Sequence, residues 1–158
     1  MKRARPPSAT APRPLPAGST LQFMQRLWDL AHALEVRSKR MARQLGVTGP
    51  QRLVVRVVGQ SPGITASQIA ATLNMHPSTL TGILRRLQHQ RLLERTTDAE
   101  DRRSARFTLT RGGVAIDRER KGTVEAAVRR ALGRARPPMP EASLEMIALI
   151  IAELEREP

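Results

Sequence analysis

Apolar residues recur along most of this chain at three- and four-residue spacing, and near the middle the spacing switches to alternation. The first spacing collects side chains on one face of a helix, the second on one face of a strand. From Thr20 to about Gln44, the stripe Phe23, Leu27, Leu30, Leu34, Met41 and Leu45 predicts a long helix with Thr20 as its N-cap. At 1.5 Å per residue it is roughly 35 Å long. A second helix is expected from Pro50 to about Gly59, with Leu53, Val54, Val57 and Val58 inward. Gly59, Ser61, Pro62 and Gly63 end it.

Thr65 and Gln68 then form a capping-box pattern ahead of Ile69, Ala70 and Leu73, which share one helical face. Asn74 suits the left-handed residue that ends a helix, and Pro77 suits the opening turn of the next. In that next helix Leu80, Ile83, Leu84 and Leu87 mark the buried face. Two strands follow, Leu92 to Thr97 and Ala105 to Leu109, the second alternating through Ala105, Phe107 and Leu109. Thr110 caps a helix predicted to run to about Leu132, with Ile116, Val124, Ala127, Val128, Ala131 and Leu132 as its stripe and a strongly polar stretch from Arg118 to Lys121. Gly133 to Pro140 is a linker, and a last helix spans about Glu141 to Glu155. Leu144, Ile147, Ala148, Ile151 and Leu154 make its apolar face, broadened by Met146, Leu149 and Ile150.

Two short helices joined by a tight turn, then a hairpin, read as a winged helix-turn-helix. The fold class expected is mainly α with a small β-wing, carried on long dimerisation helices. Residues 1–19, rich in Pro and Arg, form a basic arm with no apolar period, expected to be disordered. Residues 20–158 form one domain: 48–110 the DNA-binding lobe, 20–45 and 111–158 the dimerisation helices. The first and last helices carry more apolar surface than the lobe can cover, so a two-fold dimer is the simplest solution.

Charge sharpens this picture. The 158 residues carry a net charge of +13, with a pI of about 11.8, as expected of a nucleic-acid binder. The last stretch, from Pro137, is acidic, so the surplus lies elsewhere. The absence of cysteine excludes disulfides, thiolate metal sites and a thiol redox sensor. No apolar run is long enough to span a membrane, and no signal-peptide pattern opens the chain, so a cytoplasmic location is expected. A membrane partner is not expected.

The candidate chemistry is recognition, not catalysis. Ser67, Ser78, Thr79, Thr81, Arg85 and Arg86 are candidates for the major groove and its phosphates. Arg102 and Arg103, at the hairpin tip, suit a narrow minor groove, with Asp98 and Asp101 holding the loop. The bland alternatives are a solvated helix face and a solvated charged turn. His32, His76 and His89 lie on three separate segments, and no catalytic or metal-binding motif is present. No enzyme activity, cofactor or metal is expected.

The ordered set of segments resembles the MarR family (multiple antibiotic resistance regulators) of winged-helix transcriptional regulators. Thr48-Gly49-Pro50-Gln51 looks like the opening of its second helix. Pro62-Gly63-Ile64-Thr65 looks like the approach to its helix-turn-helix, and Pro77-Ser78-Thr79-Leu80-Thr81 like the start of its recognition helix. Asp98 to Ser104 resembles its wing, and Leu109-Thr110 to Gly113 the start of its fifth helix. The departures are Gly82 where the family usually has Arg, Arg91 where it usually has Gly, and Glu100 in place of the first Arg of the wing motif. The resemblance implies a homodimer that sets two recognition helices about one DNA turn apart on a pseudo-palindrome, most simply as a repressor. It also implies a cleft for a small-molecule effector, for which Trp28, His32 and Arg56 are candidates, although packing Trp28 into the core is the preferred reading. The rival function is a winged-helix module for protein or RNA, or a non-specific DNA binder.

Overall fold

Side-chain caps decide where the helices begin. In this computed structural model, which describes residues 19–97 and 105–156, α1 (Thr20–Leu45) starts behind Ser19, whose hydroxyl accepts from the Gln22 backbone N–H at 3.1 Å. The cap is therefore Ser19, one residue before the expected Thr20. The basic arm lies, apart from Ser19, outside the described residues. Helix α2 (Gly49–Gln60) opens on a capping box between Thr48 and Gln51, and α3 (Ala66–Leu73) on the one between Thr65 and Gln68. Asn74 ends α3 at φ 45°, in the left-handed region that an Asn tolerates. Pro77 then opens α4 (Pro77–His89).

Between α2 and α3 lies a strand the apolar pattern does not reveal, β1 (Ile64–Thr65). It joins β2 (Leu93–Thr97) and β3 (Ala105–Leu109) in an antiparallel sheet of order β1-β3-β2. The register sets both Ile64 and Arg95 opposite Phe107, and Leu93 opposite Leu109. The core forms where α2, α3 and α4 meet this sheet: Val54, Val55, Val57, Val58, Ile69, Leu80, Leu84, Leu87, Leu93 and Phe107 are buried together. On α2 the inward face differs from expectation. Leu53 is 45% exposed, and Val55, Gln51 and Arg52 are buried instead.

The helix expected from Thr110 to Leu132 is broken. Helix α5 (Arg111–Arg118) is capped by Thr110, and α6 (Val124–Leu132) by Thr123. Between them Glu119 is extended, and Gly122 takes φ 73° close against Gln44, where a side chain would be strained. The Glu119 carboxylate accepts from the backbone N–H groups of Lys121 (2.7 Å) and Arg120 (2.8 Å). These bonds hold its pKa below the ordinary glutamate value.

Helix α7 (Met139–Leu154) starts two residues before the expected Glu141. It faces α1 across an open apolar groove of 330 Å³ lined by Leu27, Trp28, Ala31, Ile147, Ile150, Ile151 and Leu154. Of its residues only Pro140 and Ile150 are even half-buried. Among the described residues no helix is long and apolar enough to cross a membrane.

Candidate nucleic-acid interface

Helix α4 presents two unlike faces. Leu80, Leu84 and Leu87 lock its underside into the core, while Ser78, Thr79, Thr81, Gly82, Arg85, Arg86 and His89 are exposed. A rigid apolar anchor beneath a polar face is what holds a reading helix at a fixed depth. Arg85 and Arg86 form no ion pair with any described residue, so both charges remain available to a polyanion.

The hydroxyls are more constrained than the sequence suggests. Thr81 donates its hydroxyl proton to the Pro77 carbonyl at 2.8 Å, within its own helix. Turned outward it offers lone pairs and a methyl group, which suit a base amino group and a thymine methyl, not a phosphate. Ser78 Oγ is 2.7 Å from Nδ1 of His76, the residue that caps α4. Ser67, in the first turn of α3, lies 3.0 Å from the Thr65 hydroxyl.

A cleft of 610 Å³ joins these parts: Thr65, Ala66 and Ser67 on one side, Thr81, Leu84, Arg85 and Gln88 on α4, and Arg95, Ala105 and Phe107 on the sheet. Arg95 went unsuspected from sequence. It shares the inward side of β2 with Leu93 but sits further out, where core gives way to cleft, so the strand alternation was the available signal. Asp98, Asp101, Arg102 and Arg103 all lie outside the described residues.

The two departures on this surface have structural consequences. A Cβ at Gly82 would meet nothing within 4 Å, so the glycine serves no close approach within the chain. Arg91 sits at φ 55°, a conformation that a glycine would adopt without cost. Gly82→Ala and Arg91→Gly should each raise the unfolding free energy by about 1 kcal/mol in urea titrations. A loss of stability from either would refute the corresponding account.

The three ligand candidates are not brought together. Arg56 pairs with Asp117 Oδ1 at 2.8 Å, so it does not stand open to an anionic ligand. Trp28 is 67% exposed and not a core residue. It lines the α1–α7 groove, whose walls include neither His32 nor Arg56. His32 is exposed. A larger apolar cavity, of 690 Å³ and open to solvent, lies elsewhere, walled by Leu34, Pro50, Leu53, Val124, Val128 and Leu132, with Glu35, Glu125 and Arg129 also in its lining.

Sequence reasoning missed Arg52 entirely. It is 1% exposed, and its guanidinium is fully engaged with α5 and α6. Nε donates to Glu125 Oε1 at 2.8 Å and Nη2 to the Glu119 carbonyl at 2.7 Å. Nη1 donates to the Ile116 carbonyl. Burial works against the Glu125 carboxylate, but its own backbone N–H, Arg52 and Thr123 outweigh it and leave its pKa below the ordinary value.

Comparison with known proteins agrees with this geometry. The model of the MarR family matches residues 45–104. An HTH-type transcriptional repressor of Mycobacterium tuberculosis is 31% identical over 94 residues, which are 60% of this chain and 68% of that protein. The MepR–DNA complex of Staphylococcus aureus superimposes with a TM-score of 0.71 at 19% identity, covering 87% of this chain and 99% of that one. The MarR family transcription regulator SP03579 gives a TM-score of 0.68 at 29% identity over 87% and 93%. With a recognition helix, a winged sheet and long flanking helices arranged in the same order, this chain belongs to the MarR family of winged-helix transcriptional regulators.

Proposed function

We propose that two copies of this chain form a homodimer that binds a pseudo-palindromic duplex site and represses transcription from it. The carrying observation is the exposed face of α4, with its uncommitted Arg85 and Arg86 and its core-locked underside. Solved relatives bound to DNA support the same reading. In this reading Ser67, Ser78, Thr79, Thr81, Arg85 and Arg86 serve the major groove and its phosphates. Arg102 and Arg103, in the segment joining β2 to β3, serve the minor groove, with Asp98 and Asp101 bracing that segment.

The protein acts by binding and not by turnover, in the cytoplasm, with no cofactor. An effector would occupy the 690 Å³ apolar cavity and favour a dimer whose two heads are wrongly spaced for the site. Gly82 favours one rival: with no side chain at that point of the helix, base reading is thinner, and binding could be non-specific.

Fluorescence anisotropy against a library of promoter duplexes tests the reading. One sequence class should bind tightly, with affinity falling steeply as salt rises. Arg85→Ala should lower that affinity by roughly 5- to 150-fold, the range for losing one good base contact. Uniform affinity across the library would point to the non-specific binder. No binding to any duplex would point to a protein or RNA module.

A further inference from the structure

We propose that Arg52 is a positioning residue for DNA reading: it fixes the angle between the winged-helix head and the dimerisation helices, and so the half-site spacing that the dimer accepts. This rests on the dimeric, DNA-reading function proposed above. Arg52 belongs to the head, since its helix supplies Val54, Val55, Val57 and Val58 to the head's core. Its hydrogen-bond partners all belong to the other side. They are the Ile116, Asp117 and Glu119 carbonyls at the end of α5 and the Glu125 carboxylate in the first turn of α6. One turn along α2, Arg56 holds the Asp117 carboxylate from the same direction.

These contacts bracket a place where the arm has no helical ladder to define its course, the break from Glu119 to Thr123. A continuous helix would set its own direction. Here the direction of α6 relative to the head is set by its packing against α1 and by side chains that cross from α2, chiefly a guanidinium. Its planar fork serves several acceptors in one fixed geometry, which a lysine cannot do. The open C-terminal carbonyls of α5 are themselves a favourable site for a cation.

Stability alone does not explain a buried arginine here, because well-packed apolar residues usually stabilise as well as a buried ion pair. Orientation does. Over a lever of roughly 20 Å, the length of a 13-residue helix, a turn of about 10° moves the tip by roughly 3.5 Å, close to the rise of one base pair.

The test uses the full-length protein and duplexes carrying its two half-sites at centre-to-centre distances varied one base pair at a time. Wild type should show a sharp optimum, with affinity falling roughly tenfold for each base pair of misregistration. Arg52→Lys keeps the charge and loses the fork, and Glu125→Gln keeps the shape and loses the charge. Each variant, folded by circular dichroism and dimeric by sedimentation, should have its optimum displaced by a base pair or flattened to less than about threefold. Two variants guard against one that fails to fold. If a folded, dimeric variant keeps the wild-type spacing profile, Arg52 does not set the spacing. If wild type itself shows no spacing preference, the dimeric reading fails first and takes this inference with it.

Discussion

Arg52→Ala is expected to lower the unfolding free energy by about 3–5 kcal/mol, the usual cost of removing one partner from a buried ion pair. The truncation strands several groups at once. The Glu125 carboxylate, only 27% exposed, loses its cation, and the carbonyls of Ile116 and Glu119 lose their donor. Arg56→Ala makes the control. Its pair with Asp117 is equally short, but its side chain is 26% exposed against 2% for Arg52, so its loss should cost less. Urea unfolding at a fixed protomer concentration measures both. The pH dependence carries a second signature. Glu125 has a folded pKa below its unfolded value, so its contribution is present in full above that unfolded value and fades as pH falls through the folded one. The difference between wild type and Arg52→Ala should therefore narrow below about pH 4.5. A cost under about 1 kcal/mol at neutral pH would mean that solvent fills the site and the clamp is not structural.

Arg52 also marks the limit of what local pattern can reveal. The Thr65–Gln68 capping box, the Asn74 turn, the buried face of α4 and the β2–β3 pairing were legible because each is encoded within a few residues. The partners of Arg52 lie 64 to 73 residues away, and nothing nearby distinguishes it from a solvated arginine. The break between α5 and α6 was hidden differently. Gly122 and Thr123 are a stop and a start signal, but Val124, Ala127, Val128 and Ala131 carry a helical stripe straight past them. Strand β1 is two residues long and exists because β3 offers it an edge, which is tertiary information. Trp28 misled in another way: a rule about where tryptophan usually sits says nothing about whether its cover comes from the same chain. Of the candidate interface, the α4 face was legible and Arg95 was not. The wing-tip residues 98–104 fall outside the described structure.

The exposed tryptophan leads to the second large effect. Ile147→Asp with Ile151→Asp is expected to make the protein monomeric at micromolar concentration and to weaken binding to the full site by about 10²–10⁴-fold, the advantage of engaging two linked half-sites over one. Leu21, Phe23, Met24, Trp28 and Leu30 on α1 and Leu144, Leu149, Ile151 and Leu154 on α7 are all exposed. Together with the apolar groove between the two helices, exposed apolar side chains in this number mark an interface on a stable protein. In a two-fold dimer each substitution appears twice, and every copy would sit near its neighbours in an apolar seam. Charge buried there without a partner costs several kcal/mol. Neither residue touches the core formed by α2, α3, α4 and the sheet, so the head should keep its fold and its weak affinity for a single half-site. Sedimentation gives the oligomeric state, and anisotropy against full-site and half-site duplexes gives the two affinities. A doubly substituted protein that still sediments as a dimer would place the dimer interface away from the α1–α7 face. A monomer that binds the full site as tightly as wild type would instead remove the need for pairing, since one head would then account for all of the affinity.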